Sequence, residues 1–72
     1  MSRVVALGEE DQVLPYAMVG VEVLALADPM AAPAAWAGLG DDVGLVILSR
    51  DAAEALGQTL HEPGQPLWTV MP

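Results

Sequence analysis

Apolar residues fall into four short runs along the chain, and each run is closed by turn chemistry. Arg3-Val4-Val5-Ala6-Leu7 stops at Gly8, and Val21-Glu22-Val23-Leu24-Ala25-Leu26 lies between Gly20 and Asp28-Pro29. Gly44-Leu45-Val46-Ile47-Leu48 stops at Ser49, and Leu67-Trp68-Thr69-Val70-Met71 lies between Pro66 and Pro72. Runs of this length, rich in Val, Ile and Leu, predict strands. The third is apolar without alternation, the pattern of a strand buried on both faces of a parallel sheet.

Helical spacing separates the runs. Val13, Leu14, Ala17 and Met18 form one apolar stripe. Pro15 is tolerated near a helix start, which places the start of the first helix between Gln12 and Leu14, with Gly20 as its stop. Asp28 is the expected N-cap of a second helix with Pro29 at its first position. Pro33 either kinks that helix or begins it, in which case it runs to Leu39 and ends on Gly38 and Gly40. Ser49 is the expected N-cap of a third helix, whose apolar positions are Ala52, Ala53, Leu56 and Leu60. Residues 61–66 read as a loop.

Strand and helix therefore alternate as β-α-β-α-β-α-β, which argues for a parallel sheet with helices on its faces. Right-handed crossovers restrict the strand order. The expected fold is α/β, a small doubly wound four-stranded parallel sheet of order 2-1-3-4, equivalent to half of a flavodoxin-like or receiver-like sheet. The 72 residues suffice for one domain, residues 1–72. The hydrophobic share is 54%, much of it alanine, and phenylalanine is absent, so branched aliphatics must fill the core.

Charge narrows the function classes. Ten carboxylates face two arginines and no lysine, a formal net charge of −8. Nucleic-acid binding runs on Lys and Arg contacts to phosphate, so that class is excluded, and an anionic membrane surface is disfavoured for the same reason. Cysteine is absent, which rules out disulfides and thiolate metal sites and fits a reducing, cytoplasmic compartment. The apolar run behind Met1-Ser2-Arg3 is too short for a signal peptide, and residues 13–27 are too interrupted by Pro15, Gly20 and Glu22 to span a bilayer.

In a sheet of this order ligands bind at the carboxyl ends of the strands, beside the switch between strands 1 and 3. Glu9, Glu10, Asp11, Asp28 and Asp51 all follow strand ends. Carboxylates there suit a hard cation or a phosphoacceptor pocket. A receiver, however, also uses a lysine, and this chain has none. Nucleotide binding fares worse: Gly8 is the sole glycine of the first turn, and acids there repel phosphate. The plain reading makes these acids N-caps and turn residues at helix N-termini. His61 lacks a sequence-near nucleophile, and Trp36 and Trp68 read as core or interface anchors. No catalytic residues and no cofactor are expected.

The order of motifs resembles one family, the F subunit of the V/A-type (archaeal and vacuolar-type) rotary ATPases. The resemblance rests on Gly8-Glu9-Glu10-Asp11-Gln12-Val13 after strand 1, Val19-Gly20-Val21 entering strand 2, and Ala27-Asp28-Pro29 closing it. Asp42-Val43-Gly44-Leu45-Val46-Ile47-Leu48-Ser49 is similar to the family's third strand, and Gln65-Pro66-Leu67-Trp68-Thr69-Val70-Met71-Pro72 to its last. The family continues into a C-terminal helix that engages the catalytic hexamer and the other central-stalk protein, so the chain reads as a short form without it. The resemblance implies a non-catalytic rotor component of the central stalk. Its partners would be the D subunit and the catalytic A and B subunits, and its role would be to couple ATP hydrolysis or synthesis to ion transport. Two other readings stay open: a stand-alone regulatory module that binds a protein or itself, and a degenerate receiver-like metal-binding domain.

Handedness adds one expectation. The first helix lies on one face and the other two on the opposite face, so part of the first face is left open. The candidate interface is Leu45, Val46, Ile47, Leu48, Trp68, Val70 and Met71, with Trp68 or Met71 near its centre. A second copy or a stalk partner would cover it, unless residues 61–66 fold back over it.

Overall fold

The structure is a computed structural model describing residues 2–72. Its elements follow the expected order: β1 (Arg3–Glu9), α1 (Glu10–Ala17), β2 (Glu22–Leu26), a 3-10 turn (Pro29–Ala31), α2 (Ala32–Ala37), β3 (Val43–Leu48), α3 (Arg50–Leu56), a second 3-10 turn (Gly57–His61) and β4 (Leu67–Val70). The four strands form one sheet of order β2-β1-β3-β4, and every pairing is parallel. The chain is thus a small α/β domain with the predicted topology. No helix among the described residues is long and apolar enough to cross a membrane.

Local chemistry explains most element ends. Asp28 caps the first 3-10 turn, its Oδ1 accepting from Met30 N–H at 2.9 Å, with Pro29 at the first position. That short turn resolves the Pro33 ambiguity, because α2 starts at Ala32 and needs no donor from Pro33 in its first turn. Ser49 caps α3, its Oγ accepting from Ala52 N–H at 3.1 Å. Gly20 closes the turn after α1 in the left-handed region, φ +88°, where a side chain would be strained.

α1 departs from expectation. It begins at Glu10, so Pro15 lies in its interior. The ring forfeits the bond to the Asp11 carbonyl, but Pro15 is exposed and water can serve that carbonyl. The expected stripe also shifts. Only Val13 of α1 is fully buried, backed by half-buried Tyr16, while Leu14 and Met18 face solvent.

The sheet separates two apolar clusters of unequal size. On the face carrying α2 and α3, Val5, Leu7, Val46 and Leu48 pack against Ala32, Trp36, Ala52, Leu56 and Leu60. On the α1 face the buried set is Ala6, Val13 and Met71, flanked by Tyr16, Val21, Val23 and Ile47. Arg3 links the strand starts at the sheet's amino end. Its guanidinium meets Glu22 at 3.1 Å and Asp42 at 3.0 Å, joining β2 and the turn before β3 to β1.

Candidate functional site

The switch point between β1 and β3 is filled by the chain's own atoms. Ser49, 1% exposed, follows β3 and sits directly on Gly8 of β1. A Cβ placed on Gly8 would stand 2.6 Å from the Ser49 Cβ, a separation that real side chains do not show. The Ser49 N–H donates to the Leu7 carbonyl at 3.0 Å, and its hydroxyl donates to Glu9 Oε1 at 3.3 Å while capping α3. Met71 N–H donates to the Leu48 carbonyl at 2.8 Å, and its side chain is buried on the α1 side of the same end. The end of the sheet where an α/β fold of this order admits a ligand is therefore occupied by serine, glycine and methionine. What remains is an open cleft of about 430 Å³ lined by Glu9, Asp11, Gln12, Arg50, Asp51 and Pro72 among others.

The five acids that follow strand ends separate into groups. Glu9, Asp11 and Asp51 share this rim. Glu10 does not line it, but joins Glu9 and Asp11 around a shallow depression on the β2 side, bounded by Ala25 and Ala27. Asp28 is committed to its cap. Among the described residues, no three Asp, Glu or His side chains are placed to hold a metal ion. Arg50 on the same rim adds a positive charge, which further weakens the site for a cation.

The aromatic residues act as anchors. Trp36 is buried in the larger cluster, and its Nε1–H donates to Gln65 Oε1 at 2.6 Å. That bond draws the loop before β4 toward α2, at the amino end of the sheet. Trp68 packs against the same cluster and donates to the Leu60 carbonyl at 3.2 Å. His61 meets it edge to face with ring centroids 5.8 Å apart. A groove of about 490 Å³, mostly apolar, runs between α3 and β4, with Leu60, Trp68 and Val70 inside and Arg50, Glu54 and His61 on its rim.

The candidate interface set divides between the two faces. Val46 and Leu48 are fully buried beneath α3, and Trp68 and Val70 stand on their face. Trp68 therefore cannot be the centre of an opening on the α1 face, because the register of β4 against β3 points it the other way. Met71 lies on the α1 side, but its own chain buries it at 7% exposure. Leu45 and Ile47 remain, half-buried. Two residues outside the predicted set join them on that face: Val4, 38% exposed, and Leu67, 74% exposed. The signal for both was the alternation of side chains along a strand.

α1 packs chiefly on β1 and β2 and leaves this half of the sheet open. The loop tied to Trp36 lies on the other face and does not cover it. No protein-family model matches the chain, and no curated protein is significantly similar to it.

Proposed function

We propose that the chain is a non-catalytic protein-binding domain whose docking surface is the open half of the α1 face: Val4, Leu45, Ile47 and Leu67. One observation carries this reading. An all-parallel sheet is ordinarily covered on both faces, and here apolar side chains of β1, β3 and β4 stand uncovered beside α1. The filled switch point supports it, since the usual ligand crevice is closed by Ser49 and Gly8. The absence of lysine and of a glycine-rich phosphate loop from the sequence agrees with a role in which the chain performs no chemistry itself.

Within that class the finer reading is a rotor component similar to the F subunit of a V/A-type ATPase. It would stand in the cytoplasm, peripheral to the membrane, beside the D subunit and the catalytic A and B subunits. The order of motifs along the chain supports it, as does the strand order that those motifs imply. The test is co-expression with the D subunit encoded in the same genome. Co-elution on size exclusion, lost in Leu45→Glu while far-UV circular dichroism is unchanged, would support the stalk role. Separate elution of the two wild-type proteins at micromolar concentration would overturn it.

A further inference from the structure

β4 is an edge strand, bonded only to β3, and its sequence is suited to a second copy of itself. Met71 N–H points inward to the Leu48 carbonyl. Along a strand the bonding direction alternates, so the backbone groups of Leu67 and Thr69 also face β3, while those of Trp68 and Val70 face outward and unpaired. The next outward positions in each direction are Pro66 and Pro72, which have no N–H to offer. The free edge is therefore a short ladder, closed by proline at both ends and centred on Thr69.

We infer that two copies of the chain associate through β4, antiparallel, about a twofold axis at Thr69, so that their sheets become continuous. In this register Trp68 lies opposite Val70 of the second copy, with their outward backbone groups exchanging hydrogen bonds. Thr69 faces Thr69 of the second copy, and Pro66 faces Pro72. Aromatic against β-branched and threonine against threonine are both favourable cross-strand pairs. Edge strands that must stay free ordinarily carry a charge on the strand itself. β4 carries none, and it exposes Leu67 and Thr69 on one face and Val70 on the other.

The lack of charge along β4 itself leaves the edge open to a second copy. Although the chain is −8 overall, residues 63–72 hold no ionisable side chain. Arg50 stands at the carboxyl end of β4, bordering the groove with Val70 beside Glu54 and the cleft with Pro72 beside Asp51, a basic side chain set among those acids. Glu62 stands at the amino end, beside Pro66. Antiparallel pairing brings Arg50 of each copy toward Glu62 of the other. The inference is independent of the stalk reading, because it concerns the isolated chain and the backbone edge of β4 rather than the sheet face, although Leu67 borders both.

The absence of native cysteine makes the test direct. Thr69 is at a non-hydrogen-bonded position of the proposed pair, where facing Cβ atoms stand about 4.5–5.5 Å apart, close to disulfide geometry. Purified Thr69→Cys is expected to oxidise to a covalent dimer of twice the 7.5 kDa chain mass. The yield should far exceed that of Met18→Cys, an exposed position remote from β4. Wild type is expected to sediment as a dimer at micromolar concentration and Thr69→Lys as a folded monomer. Arg50→Glu should weaken association several-fold, and adding Glu62→Arg should restore it.

A wild-type monomer, together with Thr69→Cys cross-linking no better than Met18→Cys, would overturn the inference. A dimer that survives Thr69→Lys would overturn it too, by placing the contact elsewhere. Cross-linking of Thr69→Cys reports on the edge even if the lysine variant fails to fold.

Discussion

Gly8 and Ser49 are in contact across the β1–β3 switch point so closely that Gly8 has no room for a methyl group. The Ser49 backbone is held by its bond to Leu7 and cannot easily retreat. Gly8→Ala should therefore destabilise by about 1–3 kcal/mol, as overpacking does in a filled interior. Gly38→Ala provides the contrast, since its nearest new contacts are at an ordinary 3.6 Å and its φ of −85° suits any residue. Urea denaturation of the two variants would check this, and equal midpoints would contradict the crowding at Gly8.

Ser49 also serves as a helix cap. Ser49→Ala removes the acceptor for Ala52 N–H in a buried position and should cost about 1–2 kcal/mol. Asp28→Ala removes an exposed cap on a 3-10 turn and should cost less. If chemical denaturation found Asp28→Ala the more damaging of the pair, the ranking by burial would be wrong.

Trp36 and Gln65 form the contact that positions the loop before β4. Gln65→Ala leaves the indole N–H without its partner in a part-buried site and should cost about 1–3 kcal/mol. Trp36→Ala removes a large buried ring and should cost about 3–5 kcal/mol. Trp36→Phe, which keeps most of the ring but has no N–H, should be more stable than Trp36→Ala and nearly insensitive to the further change Gln65→Ala. A double-mutant cycle in guanidinium would measure that coupling.

The surface charges are expected to contribute little. Glu10 is exposed at the first position of α1, where the helix terminus favours it but neighbouring Glu9 and Asp11 repel it. Glu10→Gln should shift stability by less than about 1 kcal/mol. Arg3→Gln breaks two contacts with exposed carboxylates and should have a comparably small effect, reduced further by added salt. Thermal melts at low and high salt would test both, and a loss in Arg3→Gln that salt leaves unchanged would point to packing of its stem instead.

The sheet order was legible because it depends on features that a sequence carries directly: apolar runs of strand length, Asp28, Ser49 and Gly20 at element boundaries, and the handedness of crossovers. The start of α1 was not, because the penalty at Pro15 is set by exposure, and exposure depends on which way the helix faces the sheet. The open half of the α1 face was predicted in outline, but its composition was not. Alternation divides β4 into two sets without saying which faces α3. The register with β3 assigns Trp68 to the α3 side, and the burial of Met71 removes a second candidate. Val4 and Leu67 were missed for the same reason. Each is apolar in sequence, and its accessibility is decided by where α1 ends across the sheet.

The unequal clusters on the two faces have a consequence for how the molecule opens. β1 and β3 are covered by the larger cluster, whereas β2 contributes only Leu26 to buried structure and α1 only Val13. Local opening free energies follow buried apolar contact, so the amides of β2 and α1 should exchange with solvent well before those of β1 and β3. The molecule would then behave as a hinged sheet that loosens from the β2 margin while its centre stays closed. The slowest-exchanging amides, those of Val5, Leu7 and Ile47, which bond between the two central strands, would report global unfolding.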